Sequence, residues 1–244
     1  MRANFTFTLS RREIHIWIFP TEAPNDLVAR FERILPSEEV DRGARFHSTH
    51  LRDSFVLARG ALRFLLGKYL NTDPASIRFV YGLRGKPALA SVTGIDFNMT
   101  HSGTMAAIAL TMDCPLGIDL EQIRPISDMQ EIAARFFCPE EASEVMSLSA
   151  AERERAFFRC WTRKESYIKA TGDGLFTPLD DFRVTVLCGT PARFVHLARD
   201  LVAAQKWTLH DLNLVPDYAA ALAYRGQERS LRFTSIVDLG ELLI

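Results

Sequence analysis

Arg159 to Leu175 reads RCWTRKESYIKATGDGL, and its periodicity indicates both a long helix and a place to look for chemistry. At about 100° per residue, Phe157, Phe158, Trp161 and Ile168 share one side of that helix, and Glu165 lies inside the same arc. A carboxylate in such a stripe loses hydration, so it has to be ion-paired, metal-bound or raised in pKa. Lys169 follows at i+4, where its ammonium can lie beside the Glu165 carboxylate, and Gly172 is placed to stop the helix as a C′ glycine. The plain alternative is an ordinary i,i+4 salt bridge on a partly exposed helix. The apolar stripe argues against it.

Upstream, Met105 to Met112 (MAAIALTM) reads as a buried strand joined through Asp113-Cys114-Pro115 to a second strand, Leu116 to Ile123, in a hairpin pattern. Strand alternation sends Asp119 and Glu121 to one face of the second arm and Ile118 and Leu120 to the other. Two carboxylates so placed are either a solvated strand edge or a hard-oxygen site. A third acid would favour Mg²⁺, which takes one or a few carboxylates and completes its octahedron with water and substrate phosphate oxygens.

The remaining pattern alternates strands and helices. Glu13 to Phe19 (EIHIWIF) reads as a strand ended by Pro20, Leu51 to Leu70 as a long helix after a shorter one opening at Ser37, and Ile77 to Tyr81 as a strand. Gly82 to Pro87 (GLRGKP) is a glycine-flanked basic loop. Asp128 to Phe137 and Glu140 to Leu148 read as short helices; Phe182 to Leu187, Trp207 to Leu214 and Tyr218 to Tyr224 read as strands, and the last twenty residues give no signal. Ala44-Arg45-Phe46 before the first long helix is echoed by Ala134-Arg135-Phe136 before the second, which points to two similar α+β halves. No Pro-, Ser- or Gly-rich linker separates them, so they abut, with the division placed between residues 1–92 and 93–244.

The 244 residues, 48% hydrophobic, suffice for a sizeable core in one large or two smaller domains. Basic and acidic residues nearly cancel, 29 against 30, so bulk charge gives no case for nucleic acid or a membrane surface. The four cysteines lack any CxxC pairing and read as free thiols. Arg11, Arg12, Glu13 and His15 interrupt any N-terminal apolar run, and no apolar stretch of about 18 residues exists, so the expected location is the cytoplasm.

Gly117-Ile118-Asp119-Leu120-Glu121, followed about forty residues later by Trp161-Thr162-Arg163-Lys164-Glu165-Ser166, resembles the Sfp-type 4′-phosphopantetheinyl transferases, in the branch that carries KES. Agreement extends to Gly85-Lys86-Pro87, to Phe97 through Gly103, to Pro125-Ile126-Ser127 and to Arg135-Phe136-Phe137, most of residues 36–182. The resemblance implies an α+β monomer of two halves related by a pseudo-twofold axis, each a small, mostly antiparallel sheet with packed helices, and an active site in the cleft between them. It implies transfer of the phosphopantetheine arm of coenzyme A to a serine of an apo acyl or peptidyl carrier protein.

The resemblance also implies site roles. Asp119, Glu121 and Glu165 match Mg²⁺-binding acids, with Mn²⁺ as a substitute. Glu165, or a water it orients, matches the base, and Lys169 the lysine that helps the departing phosphate. Lys86, Thr100, His101 and Lys164 match residues that contact coenzyme A. For its 3′-phosphate Arg42 matches a basic position, whereas Glu39 and Ser54 stand where relatives carry Lys or Arg, with Arg52 as a substitute. Arg135 with Phe136 or Phe137 matches a carrier-binding segment, and one of the two phenylalanines is expected in the core because adjacent helical residues point about 100° apart. Two rivals are a non-catalytic coenzyme A or carrier-binding module, against which the intact acid and lysine set argues, and an unrelated Mg²⁺-dependent phosphohydrolase, which leaves Gly85-Lys86-Pro87 and Arg135-Phe136-Phe137 unexplained.

Overall fold

A computed structural model of the chain describes residues 7–172, 174, 177–198 and 200–243. The first half runs β1 (Glu13–Pro20), α1 (Asn25–Glu32), α2 (Ser37–Ala44), α3 (Thr49–Leu70), a hairpin of β2 (Phe79–Tyr81) and β3 (Pro87–Leu89), β4 (Ile95–Ser102) and β5 (Met105–Met112). The second repeats the order: β6 (Leu116–Gln122), α4 (Met129–Phe136), α5 (Pro139–Met146), α6 (Ala150–Thr171), a hairpin of β7 (Phe182–Val184) and β8 (Phe194–Leu197), the short α7 (Leu201–Ala204), β9 (Trp207–Asp211) and β10 (Tyr218–Arg225). Each long helix has 22 residues. Each half's sheet places its first strand beside its last, with the remaining strand beyond, as β1-β5-β4 and β6-β10-β9, all antiparallel. This matching order is the pseudo-twofold pair of halves expected from the sequence.

Two expectations need correction. Met105–Met112 and Leu116–Gln122 do not form a hairpin, because β5 lies between β1 and β4 with both edges used, while β6 pairs with β10. Asp113, at φ 48°, and Pro115 instead carry the chain from one sheet to the other. Ile95–Met112 consequently belongs to the first half's sheet, so the repeat divides at 113–115 rather than at 92/93. The last residues, silent in the sequence, contain β11 (Ser230–Ser235), which adds to β1 in parallel and ties the end of the second half to the first.

Packing follows from the apolar faces. In the first half Leu57, Ala61, Leu62 and Leu65 of α3 close over Trp17 and Phe19 of β1; in the second, Phe157, Phe158 and Ile168 of α6 pack on Phe137, Phe182 and Val184. A third apolar layer joins the halves, with Ile14, Ile16, Ala107 and Ala109 of one sheet against Ile118, Leu120, Leu222 and Tyr224 of the other. The cleft thus lies along a fixed seam. Among the described residues no helix is long and apolar enough to cross a membrane. All four cysteines are free, and Cys188 is the exposed one.

Candidate active site

Gly117 sets the distance between the two elements that carry the acids. A Cβ there would lie 2.1 Å from Ser166 O and 2.4 Å from Ala170 N, so α6 rests directly on the backbone of β6. The helix ends where expected, at Gly172 with φ 78° and its N–H bonded to Ile168 O at 3.0 Å. This contact brings Lys169 over Asp119: its ammonium donates to Asp119 Oδ1 at 2.6 Å and to Thr100 Oγ1 at 3.1 Å. The expected i,i+4 pairing with Glu165 gives way to the nearly buried Asp119, 2% exposed, whose unpaired charge would cost more.

Thr100 also donates to Asp119 Oδ1 at 3.2 Å, and Ser102 Oγ donates to Glu121 Oε2 at 2.6 Å. Burial raises the pKa of Glu165, reinforced by the Asp119 and Glu121 charges and opposed by Lys169. Burial likewise raises that of Glu121, opposed by the Ser102 hydrogen bond and reinforced by Asp119. The three acids therefore crowd one another electrostatically, and Asp119 Oδ2 is buried with no hydrogen-bond partner among the described residues. An all-oxygen, like-charged set with an orphaned carboxylate oxygen fits a hard divalent cation. With Asp119 Oδ1 turned to Lys169, however, no three His, Cys, Asp or Glu side chains among the described residues form a ready-made metal cage.

Glu165, Ile168 and Lys169 line a cavity of about 220 Å³ together with Arg84, Lys86 and Asn98. Burial pulls the Lys86 amine down to about 8, partly offset by Asp96. It donates to Leu116 O and Ala170 O, each at 3.0 Å, so the β2–β3 loop is pinned to β6 and the end of α6. Glu39, buried on α2, accepts from Arg59 Nε and Arg63 Nε at 2.6 Å each, and Arg59 Nη2 donates to the Tyr81 hydroxyl at 2.6 Å. The departure from the family pattern at Glu39 is thus an internal ion pair that ties α2 and α3 to the hairpin, and Ser54 is likewise buried, donating to Thr21 O.

The structure separates other expected residues from ligand contact. Lys164 is fully buried: it pairs with Glu141 at 2.7 Å and donates to Leu179 O and Phe182 O, which makes it a core ion pair rather than a coenzyme contact. The Arg52 guanidinium is held by Glu32 and Asp53, so it is engaged within the protein and not poised for a 3′-phosphate. The single oxygen of Thr100 is shared among Asp119, Lys169 and the Leu120 N–H, so its place is within the acid network. Arg42 is exposed with its guanidinium 5.5 Å from the Phe55 ring centroid. His101 is exposed on β4, and local desolvation followed by the Lys169 charge lowers its pKa. Phe137 is core, packed on Phe157 and Trp161, whereas Phe136 is half-buried beneath exposed Arg135. Sequence reasoning missed Asn98 and Ser102; the available signal was the alternation of Asn98, Thr100 and Ser102 on one face of β4 with Phe97 and Met99 on the other.

The family model of the 4′-phosphopantetheinyl transferase superfamily matches residues 115–223. The chain is similar to the 4′-phosphopantetheinyl transferase HetI of Nostoc sp., 38% identical over 224 residues covering 90% of each chain. It is also similar to the 4′-phosphopantetheinyl transferase Sfp of Bacillus subtilis, 34% identical over 155 residues, 64% of this chain and 68% of that protein. Among solved structures, an ACPS–CoA complex from Chronobacterium ammoniagenes is similar at a TM-score of 0.35 and 18% identity, over 47% of this chain and 98% of that one.

Proposed function

The chain belongs to the 4′-phosphopantetheinyl transferase superfamily, and we propose that its cleft moves the phosphopantetheine arm of coenzyme A onto a serine hydroxyl of an apo acyl or peptidyl carrier protein, releasing adenosine 3′,5′-bisphosphate. The observation that carries this reading is the meeting of Asp119 and Glu121 of β6 with Glu165 and Lys169 of α6 across Gly117, where Glu165 and Lys169 line a cavity together with Arg84 and Lys86. Free thiols throughout accord with a reducing cytoplasm.

In the transfer, the serine Oγ bonds to the phosphorus that carries the pantetheine arm, the bond from that phosphorus to the bridging oxygen breaks, and the bisphosphate leaves with that oxygen. Such a reaction asks for positioning and for charge to be spread, with little covalent help from the protein. Glu165 takes the serine proton, directly or through a water it orients; burial and the Asp119 charge raise its proton affinity, which suits a base. Lys169, steadied by Asp119 and Thr100, faces the cavity and meets the charge that grows on the departing oxygen. Asp119, Glu121 and Glu165 are the residues that would hold Mg²⁺ or Mn²⁺, with Asp119 Oδ2 as the free ligand atom. Such a cation neutralises phosphate oxygens when bound.

Lys86 serves the pyrophosphate by turning from its two carbonyls, and Arg42 and His101 contact the nucleotide end. Exposed Arg135 with Phe136 forms the carrier-docking rim. The test is intact-mass analysis of a panel of apo carriers incubated with coenzyme A and Mg²⁺. A gain of one phosphopantetheine group is expected with at least one carrier, and Glu165→Gln lowers kcat by about 10²–10⁴-fold with little change in coenzyme A affinity. Coenzyme A consumed with every carrier left unmodified would instead favour a phosphohydrolase.

A further inference from the structure

β4 and β6 are edge strands of different sheets, and no backbone ladder joins them. Side chains of β4 take the place of that ladder at every second residue. Ile118 N–H donates to Asn98 Oδ1 at 2.9 Å, Leu120 N–H to Thr100 Oγ1 at 3.3 Å, and Gln122 N–H to Ser102 Oγ at 3.1 Å. Two of these rungs continue into the acids, Thr100 to Asp119 at 3.2 Å and Ser102 to Glu121 at 2.6 Å. A hydroxyl that accepts from a fixed N–H and donates to a carboxylate has its one proton committed to the acid, so it acts as a spacer between strand and acid. Thr100 divides its oxygen between Asp119 and Lys169, whereas Ser102 has Glu121 as its one carboxylate partner among the described residues.

The backbone beneath Ser102 is also held in place. Gly103 follows at φ 54°, and a Cβ there would lie 2.4 Å from Gln122 Oε1 and 2.7 Å from the Tyr218 hydroxyl, which accepts the Thr104 N–H at 3.2 Å. The turn after Ser102 is therefore pressed onto the end of β6, the strand that carries Glu121.

We propose that Ser102 is the positioning residue for Glu121. Anchored on the Gln122 N–H, its hydroxyl orders the carboxylate beside Asp119, and it does so from the first half of the molecule while the acid belongs to the second. One side chain thereby takes part both in joining the halves and in fixing Glu121 of the acid pair. The inference rests on the reading of Glu121 as a ligand of a divalent cation. A short bond to an ionised carboxylate favours the charged, ordered state that a cation requires, and partners of metal-ligating groups typically change metal affinity or activity by about 10- to 100-fold.

The test compares wild type, Ser102→Ala, Ser102→Thr and Glu121→Gln by two readouts, the Mg²⁺ concentration at the midpoint of the cation-induced rise in melting temperature and that at half-maximal transfer. Ser102→Ala should raise both by about 10-fold or more, with the KM for coenzyme A at saturating Mg²⁺ unchanged. Ser102→Thr, which keeps the hydroxyl, should restore most of the shift, and Ser102→Ala should add nothing in the Glu121→Gln background. If Ser102→Ala lowers the melting temperature while both Mg²⁺ midpoints stay at the wild-type value, the hydroxyl is merely structural and the proposal is overturned. Should the alanine variant fail to fold, Ser102→Cys, which nearly keeps the volume but donates weakly, decides by the same two midpoints. Wild-type midpoints for Glu121→Gln would instead remove the cation reading beneath the proposal.

Discussion

Gly117→Ala adds one methyl group at the tightest contact in the site. The new Cβ would meet Ser166 O at 2.1 Å, Ala170 N at 2.4 Å and Lys169 C at 2.8 Å, all of them atoms of helix backbone that cannot rotate away. Opening the first of these to the 3.4 Å of an ordinary contact displaces α6 from β6 by about 1.3 Å. Overpacking of this kind typically costs about 1–3 kcal/mol, which for a chain of this size lowers the melting temperature by roughly 2–12 °C. The same displacement stretches the 2.6 Å contact between Lys169 and Asp119 towards the limit of an ion pair, and a misplacement of about 1 Å in a catalytic constellation can cost about 10²-fold in rate. Thermal melts and intact-mass time courses at saturating coenzyme A and carrier measure the two effects separately. Loss of stability with the wild-type kcat retained would show that the β6–α6 spacing does not govern the chemistry, and no change in either would refute the packing itself.

The core assignment of Lys164 is checked by Lys164→Met, which leaves Glu141 buried without its cation; about 3–5 kcal/mol should be lost, a melting drop on the order of 10 °C, with the KM for coenzyme A unchanged in the folded protein. A raised KM with an unaltered melting temperature would return Lys164 to the ligand site. Lys86 has a folded pKa of about 8 against its ordinary 10.5, so the unfolded chain binds more protons between these values and the residue's contribution to stability rises with pH across that window. Over the same rise its charge fades, and the KM advantage of wild type over Lys86→Met should shrink; an advantage that is flat with pH would remove Lys86 from phosphate contact. At the carrier rim, Arg135→Ala should raise the carrier KM and weaken its salt dependence while sparing the KM for coenzyme A. Wild-type values for both carrier parameters would take Arg135 out of the interface.

The local parts of this fold were legible because short-range patterns encode them. The long helix with its stop at Gly172, the inward acids of GIDLE and the core placement of one of Phe136 and Phe137 all follow from periodicity within a few residues. Partner choice was not legible. Met105–Met112 and Leu116–Gln122 look like hairpin arms in isolation, yet β1 arrives from about ninety residues upstream to take the free edge of β5. β11 alternates only over Leu231 and Phe233, too short a run to read as a strand, and it is an edge strand whose identity comes from β1. For the site, residue types were readable but their pairings were not. Lys169 had a plausible local partner in Glu165, and only the Gly117 contact shows that Asp119 is closer; Lys164 looked like a ligand until Glu141 appeared beside it.

The most direct measurement is a single reaction in which wild type, or Asp119→Ala, is incubated with coenzyme A, Mg²⁺ and an apo carrier, and both modified carrier and adenosine 3′,5′-bisphosphate are quantified over time. Wild type should yield the two products in equal amounts, with the gain on the carrier lost when its acceptor serine is replaced. Asp119→Ala should yield neither while retaining a cooperative melt, since the substitution relieves like-charge crowding. Products in unequal amounts from wild type, or a wild-type rate from Asp119→Ala at limiting Mg²⁺, would contradict transfer at this cluster of acids.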